Sequence, residues 1–312
     1  MNKNDKILIT GSDGMVGSHL VELLKKKGCN NLLTPKKEDL DLRDQLQVET
    51  YFKQNKNIKY VFHIAAKVGG IKANMNALAE FERDNLQMGI NVLEQSRIHN
   101  VKKLLFLGSS CIYPRKCKQP MKEEYLLSGP LEPTNEGYAL AKISILKMCE
   151  FYNKQYGTNF IALMPCNMYG PRDHFETENS HVVSALMTKF HDAKINNINQ
   201  VCVWGSGKPE REFMYVEDGV RAMYYFMKKY DWDDLKSFVN IGSGKSVTIK
   251  ELALLIKDVV GFKGDIVFDK SMPDGMMKKE MDSSRANSMG WKTTTELDKG
   301  LKKMYRWYKK QV

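Results

Sequence analysis

The sequence predicts an α/β protein with a doubly wound parallel sheet and a smaller C-terminal lobe. Three observations lead to this fold class. Short apolar runs alternate with helix-period segments in the first half, a glycine-rich turn follows the first run, and the alternation ends near Pro171. Strands separated by helices need crossover connections, which give a parallel sheet with helices on both faces. Ligands of such sheets bind at the carboxyl ends of the strands.

The elements of the first half follow from two periodicities. Short apolar runs predict strands at residues 6–10, 31–34, 60–65, 104–108 and 160–164. Apolar positions three and four residues apart predict helices at residues 15–27, 44–54, 77–99 and 136–156. Together these segments form a βαβ series.

The second half is less regular. We expect strands near residues 201–204 and 266–268 and helices near 182–194, 249–260 and 297–310, while residues 216–230 and 238–241 predict a further helix and strand of the main sheet. Residues 1–170, with segments near 216–242 returning to them, therefore form one predicted domain. Residues 171–312 form a smaller, interleaved substrate-binding lobe.

Composition and charge exclude several classes of protein. The 312 residues are 42% hydrophobic and 27% charged, a balance typical of globular proteins rather than disordered ones. Lysine and arginine exceed aspartate and glutamate by 48 − 37 = 11. The excess lies in scattered lysine doublets on predicted helices, whereas a nucleic-acid footprint would be clustered. We therefore expect no nucleic-acid partner.

Cysteine usage and hydropathy place the protein in the cytoplasm. The six cysteines are scattered without a C-x-x-C pair or a Cys/His cluster, which argues against zinc and against a disulfide framework, so no metal is expected. No apolar run approaches the roughly 20 residues that cross a bilayer. The first residues are polar and lack a signal region. We expect a cytoplasmic protein without a membrane partner.

A glycine-rich turn separates the first predicted strand from the first helix. It reads Thr10-Gly-Ser-Asp-Gly-Met-Val-Gly17. Glycines in this context let the backbone approach a pyrophosphate, which then sits on the free N–H groups of the helix N-terminus. The pattern predicts a Rossmann-type dinucleotide site formed by Gly11, Ser12, Asp13, Gly14, Met15, Val16 and Gly17. The alternative is a tight turn without a ligand.

The end of the second strand predicts the type of dinucleotide. An acidic residue there would accept the ribose 2′-hydroxyl of NAD, but this chain has Lys36 and Lys37. Two ammonium groups suit the 2′-phosphate of NADP. The sequence therefore predicts NADP (NADPH) rather than NAD.

Two polar groups on a predicted helix have the spacing of an acid–base pair. Tyr138 and Lys142 are four residues apart, one helical turn, so they share a face. A nearby cation stabilises a phenolate, so we expect Lys142 to pull the pKa of Tyr138 toward neutrality. Ser109 follows the strand at 104–108 and lies at the ligand edge of the predicted sheet. Taken alone, each motif could also be a surface pair or a helix cap without a catalytic role.

In this order and at these distances, the glycine turn, the strand-terminal serine and the Tyr/Lys helix resemble the extended short-chain dehydrogenase/reductase superfamily. The segment His63-Ile-Ala-Ala66 is similar to the cofactor-side turn of that branch, which implies contacts from Ala65 and Ala66. Asp41 and Leu42 resemble its adenine-contacting pair.

Further motifs narrow the resemblance to the GDP-L-fucose synthase family. They are residues 66–74 and 107–114, Gly129-Pro-Leu-Glu-Pro-Thr-Asn-Glu136, Tyr169-Gly-Pro171 with Glu178-Asn-Ser-His181, Val203-Trp-Gly205 with Arg211-Glu-Phe213, and Pro273-Asp-Gly275. The match runs from Lys6 to about Trp307. Members of the family epimerise C3 and C5 of GDP-4-keto-6-deoxymannose and then reduce C4 with NADPH.

The resemblance implies roles for individual residues. Tyr138 donates a proton to the C4 oxygen, Lys142 lowers the tyrosine pKa and binds the ribose, and Ser109 donates a hydrogen bond to the same oxygen. Cys111, as a thiolate, is the implied epimerisation base, and His181 is the implied acid and also contacts the cofactor. Without the resemblance, Cys111 would be interpreted as an inert buried thiol and His181 as a helix cap. The substrate and cofactor residues implied in addition are Arg211 for the diphosphate, Lys189, Trp204, Asp274 and Asn167.

Several positions depart from the family pattern. Ser12-Asp13 stands where His-Arg is common, Gly137 replaces a proline, Tyr215 replaces a histidine, and Met276-Met277-Lys278 replaces T-x-R beside the expected nucleotide-sugar site. The last change leaves a GDP-4-keto-6-deoxyheptose open as substrate. A C4 reductase without epimerase activity and a non-catalytic NADP-binding sensor are the alternative functions. A homodimer, formed through the helices at 77–99 and 136–156, is implied by resemblance.

Overall fold

The computed structural model describes residues 1–176, 180–272 and 274–312. Its strands are β1 (Lys6–Thr10), β2 (Leu32–Leu33), β3 (Ile58–His63), β4 (Lys103–Leu107), β5 (Phe160–Pro165), β6 (Asn167–Tyr169), β7 (Gln200–Trp204), β8 (Glu210–Tyr215), β9 (Val239–Ile241), β10 (Ser246–Thr248), β11 (Asp265–Asp269) and β12 (Lys278–Lys279). Its helices are α1 (Met15–Lys26), α2 (Gln45–Gln54), α3 (Ile71–Asn76), α4 (Leu78–Ile98), α5 (Glu136–Tyr156), α6 (Val182–Ile195), α7 (Val216–Lys229), α8 (Trp232–Leu235), α9 (Ile249–Val260), α10 (Ser284–Ser288) and α11 (Leu297–Tyr308).

The central sheet is parallel throughout and has the strand order β2-β1-β3-β4-β5-β9 in the described part of the chain. The predicted fold class is thereby confirmed. The order in which strands are added to the sheet reverses at β1: β2 lies on one side of β1, and β3, β4 and β5 follow on the other. Ligands of such sheets bind outside the carboxyl ends of the strands at this switch point, between β1 and β3. The strand predicted at 238–241 forms β9 at the edge of the sheet.

Helix boundaries follow from local capping chemistry. The Asp44 side chain accepts from the backbone N–H groups of Leu46 and Gln47 at 2.9 and 3.1 Å and so begins α2. Thr248 and Glu251 form a capping box at the start of α9. Gly157 and Gly261 end α5 and α9 in the left-handed conformation, with φ of 66° and 74°. These signals are local, so the predicted helices are displaced by at most two residues.

A second sheet was not predicted from the sequence. β8 pairs with β10, with β12 and with β6, and β7 forms a separate pair with β11. The strands of the sheet around β8 are short, and β8 begins with Glu210-Arg-Glu212, so they lack the apolar run that identifies a buried strand. This small sheet carries Arg211 and Lys279 as register partners on adjacent strands.

Two hydrophobic clusters stabilise the described part of the chain. The larger lies on both faces of the central sheet and includes Leu8, Phe62, Phe106 and Ile161. The smaller joins α6, α9 and α11 to β7 and β8. None of the described helices is both long and apolar enough to span a bilayer. The predicted division at residue 170 stays a prediction.

Candidate active site

One large cavity of about 1090 Å³ opens at the carboxyl ends of β1, β3, β4 and β5. It is lined by every predicted site residue except Ser12, which is buried beneath the glycine turn. The predicted residues that line it are Gly11, Asp13, Gly14, Met15, Val16, Gly17, Lys36, Lys37, Asp41, Leu42, Ala65, Ala66, Ser109, Cys111, Tyr138, Lys142, Asn167, His181, Lys189, Trp204, Arg211 and Asp274.

The glycine turn brings backbone against backbone at the switch point. A Cβ on Gly11, whose φ is +68°, would lie 2.9 Å from the Ala65 Cα atom, and one on Gly17 would lie 2.0 Å from the Gly11 oxygen. Neither position accepts a side chain. Gly14 caps α1 without a side-chain hydrogen bond, so the first N–H groups of α1 remain available to a ligand.

The third-strand turn is held in place by Thr10. Its hydroxyl oxygen accepts from the backbone N–H groups of Ile64 and Ala65 at 3.1 and 3.2 Å and lies 2.9 Å from His63 Nδ1. Burial lowers the pKa of His63 to about 3, so this imidazole is neutral. The network fixes the predicted cofactor turn against the glycine turn.

Charged groups gather where the second strand ends. Lys36 and Lys37 are exposed and line the cavity. Arg43, which the sequence analysis missed, donates from Nε and Nη2 to the two oxygens of Asp41 at 2.9 and 2.6 Å. The Arg43 guanidinium holds the pKa of Asp41 at about 2. The Asp41-Leu-Arg43 spacing, which allows this ion pair, is the sequence signal from which Arg43 could have been predicted.

Ser109, Tyr138 and Lys142 meet at the end of β4. The Ser109 oxygen accepts from the Cys111 backbone N–H at 3.3 Å. Lys142 is 3% exposed, donates to the Leu107 carbonyl at 2.9 Å and lies with Nζ 5.6 Å from the Tyr138 ring centroid. Helix α5 thus brings the phenol and the ammonium to one face, as the spacing predicted.

The predicted pKa of Tyr138 is wrong in direction. Burial raises the pKa of Tyr138, the neighbouring Cys111 raises it further, and hydrogen bonding to Ser109 opposes them. Burial also lowers the pKa of Lys142 to about 8. Both groups lose hydration, which disfavours their charged forms. Tyr138 therefore holds its proton at neutral pH, as a proton donor requires.

The two predicted epimerisation groups differ in exposure. Cys111 is 5% exposed, in a short 3₁₀ segment that follows Ser109. Burial raises the pKa of this thiol, so a thiolate forms less readily than the sequence analysis expects; Lys279 is the strongest opposing influence. His181 is exposed at the N-cap of α6, and its side chain makes no capping hydrogen bond.

The far end of the cavity carries the predicted nucleotide-sugar residues. Lys189 donates to the Cys202 carbonyl at 3.1 Å and lies 5.1 Å from the Trp204 ring centroid. Arg211 donates to the carbonyl of Glu210 at 2.8 Å and to that of Asp274 at 3.3 Å. Burial lowers the pKa of Arg211. These contacts leave the planar guanidinium in the cavity wall, suited to a diphosphate.

Two other predicted residues make backbone-directed contacts. The Asp274 carboxylate accepts from the Ser206 N–H at 2.7 Å and from its hydroxyl at 2.8 Å, so it closes a turn beside Trp204. Asn167 donates from Nδ2 to the Glu212 carbonyl at 3.0 Å. In the motifs used for the resemblance, Glu178, Asn179 and Pro273 lie outside the described residues.

The structure corrects the expected effect of Lys278. This lysine does not line the cavity; it pairs with Glu210 at 3.1 Å and with Glu280 at 3.3 Å on the opposite face of β12. Met276 does line the cavity and is 8% exposed. The departure from the family pattern therefore reaches the site through Met276.

Seven charged lining residues were not among the predicted site residues: Arg43, Lys67, Lys72, Asp84, Glu132, Asp173 and Lys279. Glu132 is 8% exposed and pairs with Arg115 at 3.3 Å. Lys279 comes directly after Lys278, the residue that was expected beside the nucleotide-sugar site. Residues of a strand alternate between its faces, but a two-residue strand offers no period to read. Among the described residues, no cluster of three or more His, Cys, Asp or Glu is arranged to hold a metal ion.

The residues present fit a phosphorylated dinucleotide. One end of the cavity is lined by a backbone turn closed to side chains, by an uncapped helix N-terminus and by three cations, Lys36, Lys37 and Arg43. A Ser/Tyr/Lys set follows beside β4. This combination defines an NAD(P)-dependent oxidoreductase with an extended Rossmann-type fold.

The profile of the NAD dependent epimerase/dehydratase family matches residues 7–242, and the chain belongs to this family. It is 48% identical over 311 residues to a protein named GDP-L-fucose synthase 1 of Arabidopsis thaliana, covering 100% of this chain and 95% of the relative. The resemblance to GDP-L-fucose synthases is thereby confirmed.

Two solved structures of Campylobacter jejuni proteins are similar over nearly the whole length. One is described as a GDP-6-OMe-4-keto-L-xylo-heptose reductase, with a TM-score of 0.96, 40% identity, and coverage of 100% of this chain and 99% of that one. The other is described as a GDP-mannoheptose C4 reductase with NADP bound, with a TM-score of 0.91, 40% identity and 99% coverage of both chains.

Proposed function

We propose that this protein is an NADPH-dependent GDP-4-keto-6-deoxy-sugar epimerase/reductase, which epimerises C3 and C5 and then reduces the C4 ketone. The observation that carries the proposal is that Ser109, Cys111, Tyr138, Lys142 and His181 all open into one cavity. The dinucleotide-binding turn lies at one end of that cavity and Arg211 at the other. The relatives named GDP-L-fucose synthase support the same substrate class.

The reduction step uses the groups beside β4. When bound, NADPH supplies the hydride that C4 receives. Tyr138 gives its proton to the C4 oxygen, and the raised pKa of this phenol keeps the proton available. Ser109 donates a second hydrogen bond to the same oxygen. Lys142 places a positive charge behind Tyr138, which stabilises the phenolate that proton donation leaves.

The epimerisation step uses the same polarised ketone. The 4-keto group acidifies the hydrogens on C3 and C5, and the donors Ser109 and Tyr138 stabilise the enolate oxygen. Cys111 removes a proton from one face of the sugar, and His181 delivers one to the other. An imidazole carries two ring nitrogens that donate or accept protons, so it can deliver a proton and recover one in each cycle.

The remaining residues bind the two nucleotides. Gly11 to Gly17, Asp41, Leu42, Ala65, Ala66, Asn167 and His181 bind the cofactor, with Lys36 and Lys37 at its 2′-phosphate. Arg211 binds the GDP diphosphate, and Lys189, Trp204 and Asp274 bind the nucleotide beside it. The cofactor domain consists of residues 1–170 with segments near 216–242, and residues 171–312 form the substrate lobe.

The proposal includes a cytoplasmic homodimer. Helices α4 and α5 pack against each other and carry exposed apolar side chains on their outer faces. They include Ile90 (42% exposed), Leu140 (38%) and Phe151 (56%). Two copies of this helix pair would bury that surface as a four-helix interface.

The first test is an incubation with GDP-4-keto-6-deoxymannose and NADPH in deuterated water, followed by NMR. The expected result is GDP-L-fucose with deuterium at C3 and C5 and one NADPH oxidised per sugar. No NADPH oxidation with this sugar or with a GDP-4-keto-6-deoxyheptose would contradict the proposal.

A second candidate is a C4 reductase without epimerase activity that acts on a GDP-4-keto-heptose. The high structural similarity to two heptose reductases and Met276 in the cavity wall favour it. In the same incubation it would oxidise NADPH without placing deuterium at C3 or C5.

The variant Cys111→Ser separates the two steps of the main proposal. A serine hydroxyl cannot act as the base, so deuterium exchange at C3 and C5 is lost. Reduction of a sugar that is already epimerised at both carbons is retained, because Ser109, Tyr138 and Lys142 are unchanged. Cys149→Ser, another buried cysteine outside the cavity lining, is the control.

A further inference from the structure

A buried thiol that must act as a base needs a compensating positive charge. Cys111 is 5% exposed, and burial raises its pKa, so the thiol holds its proton unless a neighbouring cation stabilises the thiolate. Lys142 donates to the Leu107 carbonyl at 2.9 Å and lowers the pKa of Cys111 less than Lys279 does. A second cation near Cys111 would therefore favour the thiolate that the proposed epimerisation uses.

Lys279 is placed to supply this charge. It lines the cavity from β12, in parallel register with Arg211 on β8. Its neighbour Lys278 takes the opposite face, where Glu210 and Glu280 neutralise it. Within residues 1–176, 180–272 and 274–312 we find no ion pair or side-chain hydrogen bond from the Lys279 ammonium. Such a cation, partly buried and aimed into a cavity, is costly for the fold and points to a functional use.

We propose that Lys279 is a positioning residue for Cys111: its ammonium stabilises the thiolate form of the sulfur, which is the form that takes a proton from the sugar. This inference rests on the proposed epimerase function. The C–H bond breaks, its electron pair moves into the enolate, and the proton forms the S–H bond. Lys279 keeps its own protons throughout.

The electrostatic surroundings agree with this assignment. Lys279 lowers the pKa of Cys111 more than Ser109 and Lys142 do. Burial lowers the pKa of Lys279, and Cys111 raises it in return. The charged or titratable groups that also face this pair are Tyr138 and Lys142 on α5, Ser109, Arg211 on β8, Glu132 and Cys166.

Thiol alkylation tests the proposal without any sugar. Iodoacetamide labelling of Cys111 is followed by mass spectrometry from pH 6 to pH 10, and the exposed Cys202 is the internal reference. In Lys279→Gln and Lys279→Met we expect the Cys111 labelling rate at pH 8 to fall about tenfold, since one pKa unit changes the thiolate fraction tenfold. Lys279→Arg keeps a charge and should restore at least part of the rate.

The neighbouring lysine provides a matched control. Lys278→Gln removes the same charge from the same strand, outside the cavity lining, and should leave Cys111 labelling unchanged. Equal labelling in Lys279→Gln and the unsubstituted protein, or an equal fall in Lys278→Gln, would overturn the proposal. NADPH binding by each variant confirms that it is folded.

Kinetics with sugar distinguish positioning from substrate binding. In Lys279→Gln, kcat for deuterium exchange at C3 and C5 falls about tenfold, while reduction of the epimerised sugar changes less than threefold. A rise in KM for both steps would instead assign Lys279 to the diphosphate and overturn the proposal. If the unsubstituted protein exchanges no deuterium, the epimerase function fails, and the labelling series still decides whether Lys279 controls Cys111.

Discussion

At the scale of single residues, burial decides the chemistry of the site more than charge pairing does. Tyr138, Lys142 and Cys111 are polar groups that lose hydration in the cavity wall, and each shifts toward its neutral form. A neutral phenol is the correct starting state for a proton donor. A neutral thiol is not the starting state of a base, which is why the cation from β12 matters.

Removal of the phenol tests the proposed proton donor. Tyr138→Phe keeps the ring that packs edge-on against Phe81 and loses only the hydroxyl. General acid catalysis contributes roughly 10²–10⁴-fold, so we expect reduction of C4 to slow by that factor. NADPH oxidation measures the rate, and cofactor fluorescence should show unchanged NADPH affinity. Reduction at the original rate would remove Tyr138 from the mechanism.

The low pKa of Lys142 predicts an alkaline limit to reduction. Burial places this pKa at about 8 instead of 10.5. Between these values the unfolded chain binds a proton that the folded chain has lost, so this site makes the folded state more stable as pH rises. Reduction should nevertheless slow above about pH 8, because the ammonium behind Tyr138 is lost. Rates from pH 6 to 10, with circular dichroism as the folding control, test this; a flat profile would contradict it.

At the scale of elements, turns and helix faces position the groups that bind. The glycine turn packs against the β3 turn closely enough that Cβ atoms at Gly11 and Gly17 would overlap backbone atoms. The small sheet around β8 has the same role at the other end of the cavity. Its strands hold Asn167, Arg211 and Lys279 in fixed register.

A single methyl group should disrupt the dinucleotide turn. In Gly17→Ala the new Cβ would lie 2.0 Å from the Gly11 oxygen, so the turn must move away from its binding geometry. We expect NADPH affinity, measured by calorimetry, to fall at least 100-fold. Gly157→Ala is the control, because a Cβ there meets nothing within 4 Å and only strains the end of α5. Equal affinities in both variants would contradict this account of the turn.

The exposed apolar face of α5 predicts the oligomeric state. Leu140 and Phe151 are eleven residues apart, which is three helical turns, and both project outward. If the proposed dimer forms, Phe151→Glu should convert it to a monomer in light scattering at micromolar concentration. Leu254→Glu, on the exposed face of α9 and 48% exposed in the folded chain, should leave the dimer intact. A dimer that survives Phe151→Glu would place the interface elsewhere.

At the scale of the whole molecule, ligand recognition combines segments that are far apart in sequence. The cofactor end of the cavity uses the glycine turn, the segment after β2 and the β3 turn. The substrate end uses α6, β7, β8 and the segment before β12. The proposed function assigns the cations at the two ends to the phosphates of the two ligands.

The predicted preference for NADPH over NADH follows from the charges at the cofactor end of the cavity. Lys36 and Lys37 favour a 2′-phosphate, and Asp41 is already neutralised by Arg43. We expect Lys36→Ser with Lys37→Ser to weaken NADPH binding by about tenfold or more and NADH binding by less than threefold. Calorimetry at two salt concentrations tests this, since the NADPH difference should shrink as salt rises. Tighter binding of NADH than NADPH by the unsubstituted protein would contradict the prediction.

Local sequence patterns were enough to predict the fold class, the helices and strands of the central sheet, the family, and a set of site residues of which all but Ser12 line the cavity. These are encoded by local patterns: alternation of apolar runs, capping residues, a glycine turn and a four-residue Tyr–Lys spacing. Such signals act within a few residues of the chain and can be read without the rest of it.

The ionisation of the site groups and the choice between Lys278 and Lys279 in the cavity wall depend on the folded structure. Burial of Tyr138 and Cys111 depends on atoms from distant segments, so the direction of their pKa shifts could not be read from spacing. The opposite orientations of Lys278 and Lys279 depend on pairing of β12 with β8 across 68 residues. Hydration and strand register are properties of the assembled fold, and the assignment of Lys279 to Cys111 follows from them.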